Sequence, residues 1–225
     1  MGKSTPVRAI ITGATGMVGE GVLHECLLSP EVEAVLIINR KPCGIKHPKL
    51  KEMIHPDFDN FSPLEKALGG YNSCFFCLGV SSVGMKEPAY FKVTYTLTLN
   101  FAEMLSRQNN GMTFCYVSGA GTDSTERGRV MWARVKGKTE NALMKLPFTR
   151  VFAFRPGYLH PTEGLNNTNR YYKYISWLYP LLKGLLPGGV NTLAQLGRAM
   201  IQVARSGFDK TIINPRDIAL LAGQG

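Results

Sequence analysis

The segment VRAIITGATGMVGEGVL, residues 7–23, decides the fold, because an apolar strand pattern runs through a glycine-rich turn directly into an apolar helix pattern. A plain turn needs one or two glycines, whereas three at a spacing of three residues indicate that another group must approach the backbone closely. A strand that turns straight into a helix also aims backbone N–H groups and the positive helix end at one point. The segment therefore predicts a pyrophosphate-binding turn: Gly13 allows the turn, Gly16 leaves room for the ligand, and Gly19 lets the helix pack closely.

Beyond this segment, apolar runs alternate with helical patterns, which is typical of a parallel sheet covered on both faces by crossover helices. The pattern predicts strands over 7–12, 34–39, 51–54, 73–78, 113–118 and 148–154, and helices over 17–29, 63–68, 88–108, 130–144 and 194–205. We therefore expect an α/β fold with a doubly wound, Rossmann-like parallel sheet and a small C-terminal helical cap. Residues 1–225 would form one dinucleotide-binding domain, with 156–225 contributing the cap on the substrate side.

The composition is that of an ordinary folded protein, with 44% hydrophobic and 19% charged residues. Its five cysteines are scattered through apolar patterns, which favours a reducing compartment, and we expect a cytoplasmic location. Cys74 and Cys77 should lie on opposite faces of one strand, so neither a redox pair nor a metal site is expected. The longest apolar run, ISWLYPLLKGLLP, is interrupted by Pro180 and Lys183 and is too short to span a bilayer, so no membrane partner is expected.

The formal net charge of +10 favours anionic partners. The densest basic stretch, RKPCGIKHPKLK, contains no acid and is either a solvated loop or a site for a phosphate-bearing cofactor. Nucleic acid is a poor candidate, because no aromatic stacking pattern accompanies the charge. The second strand of such a fold ends beside the adenosine ribose, where a cofactor without a 2′-phosphate usually meets an acid. This chain offers Asn39, Arg40 and Lys41 there, which favours NADP over NAD because a guanidinium pairs with phosphate.

Further motifs follow in a fixed order along the chain. They are TGATGMVG, the Asp57-Phe58 pair after the third strand, CLGV after the fourth, VSGAG after the fifth, the lysine of WARVK, and FRPG after the sixth. With this set the sequence resembles the atypical and extended short-chain dehydrogenase/reductases, including epimerase/dehydratase-like proteins and the small Tat-interacting oxidoreductase-like branch. The resemblance implies an NAD(P) cofactor and an unidentified small carbonyl or sugar-like substrate.

Carried over by position, the resemblance also implies a set of cofactor contacts along one edge of the sheet. These are Gly13, Thr15, Gly16, Met17 and Val18 at the pyrophosphate, Arg40 at the 2′-phosphate, Asp57 and Phe58 at the adenine, Cys77, Leu78 and Gly79 along the ribose, Lys136 at the nicotinamide ribose, and Pro156 near the nicotinamide. Asp57 has a second interpretation, as a helix cap or turn residue.

The catalytic positions depart from the family pattern. Family members carry a Tyr four residues before the Lys, where the ammonium lowers the pKa of the phenol, but this chain has Trp132 before Lys136. An indole N–H releases no proton at a useful pH. Ser118 stands at the first of two family serine positions, whereas Gly119 replaces the serine that polarises the substrate. Lys136, Ser118 and Tyr158 are therefore the candidate catalytic residues, with Tyr158 as the replacement proton donor.

Two functions remain open at this point. One is an NADP-dependent oxidoreductase, or an isomerase that borrows a hydride, with Trp132 and Tyr158 contacting the substrate. The other is an NADP-binding sensor or partner-binding protein without turnover, because two catalytic positions are replaced. Trp132 either stacks on a planar or apolar ligand or packs under the cap.

Overall fold

The computed structural model describes residues 5–109, 111–165, 167 and 189–223. Among these residues, seven strands form a parallel sheet in the order β3-β2-β1-β4-β5-β6-β9. The strands are β1 (Val7–Thr12), β2 (Val32–Asn39), β3 (Leu50–Ile54), β4 (Ser73–Phe76), β5 (Thr113–Val117), β6 (Arg150–Phe154) and β9 (Ile212–Ile213), while β7 (Tyr158–His160) and β8 (Val190–Thr192) pair as a separate ribbon. The helices are α1 (Met17–Leu28), α2 (Glu87–Phe91), α3 (Leu97–Gln108), α4 (Met131–Leu143), α5 (Leu193–Ser206) and α6 (Pro215–Ala222).

The central strands are apolar along their whole length because helices cover both faces of the sheet. Neighbouring residues point to opposite faces, so Ile11 packs in the core that includes α1 and α5, while Ile10 packs in the core that includes α3. Cys74 and Cys77 likewise belong to opposite cores, as the sequence predicts. This arrangement confirms the doubly wound α/β fold.

The predicted helix over 88–108 is present, but it contains an irregular turn. Helices α2 and α3 are joined without a break by a π-helical turn over Lys92–Thr96. Such turns are rare and often lie at functional sites. Here the turn brings Lys92 into the same cleft as Arg40.

The C-terminal segment adds helices to the main body of the fold. A capping box of Thr192 and Gln195 begins α5, with hydrogen bonds of 2.9 and 3.0 Å. The sequence analysis missed α6, although Asn214-Pro215 is a common helix start and the Asp217 carboxylate accepts the Asn214 amide over 3.1 Å. A cap contributed by residues 156–225 stays a prediction, because residues 168–188 lie outside the described part of the chain.

The order of the strands determines where a ligand can bind. From β1 the chain builds β2 and β3 on one side and then returns to place β4 on the other side of β1. In open α/β sheets, ligands bind in the crevice at the carboxyl ends of the strands where this reversal occurs. The glycine turn after β1 and the loop after β4 both lie at that crevice.

Candidate functional site

Two of the three glycines in the first turn are required by the protein itself. Gly13 has a φ of +74°, and a Cβ there would lie 2.8 Å from the Cys77 carbonyl oxygen and 2.9 Å from Leu78 Cα. A Cβ at Gly19 would overlap the Gly13 carbonyl group. At Gly16, however, the nearest atom would be the Gly13 oxygen at 3.5 Å, an ordinary contact. The protein therefore has no steric need for glycine at position 16, and the space beside it suits an external group.

Gly16 is also the residue that precedes the first turn of α1. It has extended backbone angles and provides no side chain to cap the helix. The first four N–H groups of a helix lack intrahelical acceptors, and they carry the positive end of the helix dipole. Thr15 and Gly16 are exposed, and Met17 and Val18 are half-buried. These groups fit a pyrophosphate.

A cleft of about 280 Å³ lies at the carboxyl ends of β2 and β3. It is lined by Arg40, Pro56, Asp57, Phe58, Asp59, Lys92, Val93 and Leu97. Arg40 and the Asp57-Phe58 pair, which lie far apart in the sequence, therefore share one cleft. The Phe58 ring lies 5.5 Å from the Phe61 ring, which fixes an aromatic wall of the cleft.

Asp57 also has the turn role that the sequence left open. Its Oδ1 accepts the Asp59 amide over 2.9 Å. The carboxylate of Asp59 in turn pairs with Lys92 over 3.0 Å, with both side chains largely exposed. Asp57 thus shapes the turn and lines the cleft at the same time.

Sequence reasoning missed an acid near the end of β2. Glu52 on β3 accepts Asn39 Nδ2 over 2.8 Å and the Cys43 amide over 2.9 Å. The basic stretch itself contains no acid, but pairing of β2 with β3 places a carboxylate beside it. The alternation of residues along β3, together with its register on β2, is the signal that would have found Glu52.

Cys77, Leu78 and Gly79 follow β4 and line the crevice opposite the glycine turn. The Cys77 backbone is held close to Gly13, while the space around Gly79 is open. Burial raises the pKa of the Cys77 thiol to about 12, so the thiol is not a reactive nucleophile. This segment therefore offers its backbone, not the thiol, to a ligand.

Lys136 lies at the carboxyl end of β5 and is held by the backbone. Its Nζ donates a hydrogen bond to the Ser118 carbonyl oxygen. Burial lowers the pKa of Lys136 to about 8, although the nearby Glu140 carboxylate acts in the opposite direction. The Ser118 hydroxyl donates to the Phe154 carbonyl oxygen over 3.1 Å. In this structure the Ser118 side chain therefore links β5 to β6.

Trp132 lies one helical turn before Lys136 on α4 and is half-buried. A Cβ at Gly121 would lie 3.5 Å from Trp132 Cη2, so the indole lies against the loop that follows β5. That loop is tied to the turn after β6, because the Ala120 amide donates to the carbonyl oxygen of the buried Pro156 over 2.8 Å. Tyr158 follows on β7 and is half-buried. The loop after β5, α4 and the turn after β6 thus meet at one edge of the sheet.

A buried ion pair supports this edge and was not predicted. Glu140 is 1% exposed and accepts Arg155 Nε over 3.1 Å, with a second contact from Arg155 Nη2. Arg155 Nη2 also contacts the Ser124 hydroxyl. The pair joins α4 to the start of the turn after β6, one helical turn beyond Lys136. The sequence signal for this ion pair is Glu140, an acid four residues after Lys136 and on the same face of α4.

Comparison with known proteins places the chain in a family. The family model described as "NAD dependent epimerase/dehydratase family" matches residues 9–126, slightly more than half of the chain. The protein belongs to this family. Membership confirms the predicted resemblance and supports a nicotinamide coenzyme at the glycine turn, while the choice of NADP over NAD stays a prediction.

Individual relatives are more distant. Protein FMP52-2, mitochondrial, from Scheffersomyces stipitis is 29% identical over 153 residues, which cover 67% of this chain and 66% of that protein. Protein HTATIP2 from Rattus norvegicus is 26% identical over 151 residues, which cover 66% of this chain and 61% of that protein. The matches thus span somewhat less than two thirds of these relatives' own length.

Solved structures show the same fold at low sequence identity. The structure of the Bordetella bronchiseptica enzyme WbmG in complex with NAD has a TM-score of 0.68 and 13% identity, and the alignment covers 95% of this chain and 74% of WbmG. At this identity the likeness establishes the fold alone.

The expected cytoplasmic location is wrong by these comparisons, because several fungal relatives are named as mitochondrial proteins. The five cysteines are free in the structure, and they do not identify a compartment. In the part of the chain that the structure describes, no helix is both long and apolar enough to cross a membrane.

The glycine turn gives a paired prediction. Gly19→Ala should lower the free energy of unfolding by about 1 to 3 kcal/mol, because the new methyl group overlaps the Gly13 carbonyl. Gly16→Val should stay folded but lose NADPH binding, because its branched side chain fills the open space beside the helix start. Urea unfolding and coenzyme titration of both variants check this. Undiminished affinity of a folded Gly16→Val protein would show that the glycines serve only the turn.

Burial of Lys136 predicts a pH dependence of stability. The folded pKa of about 8 lies below the ordinary value of 10.5, so between these pH values the unfolded chain binds more protons and stability rises with pH. Lys136→Met removes this dependence. Relative to the variant, the wild type should therefore gain up to about 3 kcal/mol of unfolding free energy across this range. Denaturant unfolding at several pH values measures the gain, with Lys145→Met on the exposed surface as the control. If the free energy of unfolding changed with pH in the same way for the wild type and Lys136→Met, the account would be contradicted.

Proposed function

We propose that the protein is an NADP(H)-dependent oxidoreductase, or an isomerase that borrows a hydride, acting on a small carbonyl or sugar-like substrate. The observation that carries the proposal is Gly16: it is a glycine without a steric requirement from the protein, placed at the uncapped start of α1 in the crevice of the sheet. An anion-binding turn at this place in an α/β sheet is what a dinucleotide needs. Membership of the family supports the same function.

The adenosine end of the site supports NADP in particular. Two cations, Arg40 and Lys92, line the same cleft; Lys92 is paired with Asp59, so Arg40 is the cation open to a phosphate. The Arg40 guanidinium offers paired N–H groups to a 2′-phosphate. The nearby carboxylate of Glu52 already accepts two N–H groups, which reduces its repulsion of a phosphate.

The nicotinamide end supports chemistry with an altered proton donor. When bound, the coenzyme supplies or accepts a hydride. Lys136 provides a cation that would hold the nicotinamide ribose. The Arg155–Glu140 pair fixes the position of α4 relative to the turn after β6. Tyr158, the first residue of β7 directly after that turn, is the phenol we assign to proton transfer. Trp132 lies one turn before Lys136 and provides a flat apolar wall for the substrate.

A second candidate is a coenzyme-binding sensor or partner-binding protein without turnover. The Ser118 hydroxyl favours it, because that hydroxyl is engaged with the Phe154 carbonyl and is not presented to a substrate. Incubation with NADPH and a panel of aldehydes, ketones and quinones separates the two candidates. Consumption of NADPH supports the enzyme, and tight binding without consumption supports the sensor.

Arg40 gives a direct test of coenzyme choice. We expect the wild type to bind NADPH more tightly than NADH, and Arg40→Ala to weaken NADPH binding by about 1.5 to 3 kcal/mol while leaving NADH unchanged. Calorimetric titration measures both. Arg107→Ala, an exposed arginine at the C-terminal end of α3, is the matched control. Equal affinities of the wild type for the two coenzymes would refute the preference for NADP.

Trp132 gives a test of the altered catalytic position. Trp132→Tyr should create or raise carbonyl reductase activity, because a phenol there lies one helical turn from Lys136, whose ammonium lowers the pKa of the phenol. Tyrosine is smaller than tryptophan and should be accommodated. The activity is measured with NADPH and the same panel, beside wild type and Trp132→Tyr combined with Lys136→Met. A wild type that is already efficient and a slower Trp132→Tyr variant would show that Trp132 does not replace a lost acid.

A further inference from the structure

The loop after β4 and the loop after β5 form one rim at the carboxyl edge of the sheet. The two strands are neighbours in the sheet, so the loops that leave their carboxyl ends lie side by side. Arg134 of α4 holds them together, because its guanidinium donates to the Gly128 carbonyl oxygen over 2.8 Å and to the Glu87 carboxylate over 2.7 Å. Gly128 belongs to the loop after β5, and Glu87 begins α2 directly after the loop that follows β4. The rim therefore comprises residues 79–86 and 118–130.

Three valines of the rim are exposed to solvent. Val83 is 88% exposed, Val130 is 52% exposed and Val80 is 48% exposed. In the part of the chain that the structure describes, these are three of the six large hydrophobic side chains that remain exposed. The half-buried indole of Trp132 lies two residues beyond Val130. Single exposed hydrophobic residues are ordinary, whereas several on one edge of a crevice indicate a surface that binds an apolar group.

Polar side chains of the same rim are engaged within the protein. The Ser118 hydroxyl donates to the Phe154 carbonyl oxygen over 3.1 Å, and the Thr122 hydroxyl donates to the Gly119 carbonyl oxygen over 2.7 Å. The carboxylate of Asp123 accepts two amides and one hydroxyl of its own loop. A substrate with many hydroxyls needs polar partners to replace the water that it loses, because an unpaired buried hydroxyl is costly. These three side chains are already committed to the protein, so they favour a substrate with few hydroxyls.

We propose that the substrate is an aliphatic carbonyl compound, and not a sugar, whose hydrocarbon chain lies against Val80, Val83 and Val130. The inference rests on the proposed function, because it requires hydride transfer at the end of the crevice proposed for the nicotinamide. The space between the valines and the crevice is open, since a Cβ at Gly79 or Gly119 would meet no atom within 4 Å. Removal of the hydrocarbon chain from water supplies the binding free energy, and this gain grows with the length of the chain.

The test measures kcat/KM, per free aldehyde, for straight-chain aldehydes from propanal to octanal, with the intact protein and NADPH. Reduction adds the hydride of NADPH to the carbonyl carbon and a proton to the carbonyl oxygen, which yields the alcohol and NADP⁺. We expect kcat/KM to rise by about 2-fold to 4-fold for each added methylene. Erythrose, a hydroxylated counterpart of butanal, should react about 10-fold more slowly than butanal. Succinic semialdehyde should also react more slowly than butanal, although Arg127 and Arg129 of the rim are exposed cations.

Variants of the rim test the assignment of the valines. Val83→Ser combined with Val130→Ser should bring the factor per methylene close to one, and Val83→Ser alone should lower it and decides the outcome if the double variant does not fold. Leu28→Ser is the matched control, since Leu28 is a 66% exposed side chain at the end of α1. It should keep the factor of the wild type.

The possible results separate the inference from the proposed function. Equal kcat/KM for propanal and octanal, faster reduction of erythrose or succinic semialdehyde than of butanal, or an unchanged factor in the folded valine variants overturns the inference. Each of these results leaves the proposed function standing. If the wild type binds NADPH but consumes it with no member of the panel, both are overturned.

Discussion

The close approach of three backbone segments at Gly13 is the constraint on which the rest of the site depends. The turn after β1 passes against the backbone of Cys77 and Leu78, and the first turn of α1 packs on the same turn at Gly19. Side chains at positions 13 or 19 would push these segments apart. With them in contact, the start of α1 faces the crevice between β1 and β4, and position 16 is left with open space.

The two ends of the crevice are supported in different ways. At the end proposed for the adenosine, the charged groups Arg40 and Lys92 lie on a loop and an irregular helical turn, and Glu52 anchors the loop by accepting two N–H groups. At the end proposed for the nicotinamide, a buried pair of Arg155 and Glu140 fixes the elements around Lys136. A buried pair of this kind adds little net stability, but breaking it leaves an uncompensated charge, which favours one arrangement of the elements.

The sequence was sufficient to predict the sheet and the glycine turn after β1, because both follow from local patterns. Glycine spacing and alternating apolar runs located β1, α1 and the other central strands to within a few residues. The partners of Asn39 and Arg155 were missed, because Glu52 and Glu140 come near them through strand register and helix packing, which the local patterns only hint at. The hydrogen bond of the Ser118 hydroxyl to the Phe154 carbonyl was missed for the same reason, since β6 becomes its neighbour only in the tertiary structure.

A crystal structure of the protein with NADPH tests the central claim most directly. The account predicts the pyrophosphate against the backbone N–H groups at the start of α1, beside Gly16, with the adenosine in the cleft between Arg40 and Phe58. A nucleotide bound elsewhere, or a side chain occupying the space beside Gly16 in crystals grown with saturating NADPH, would contradict it.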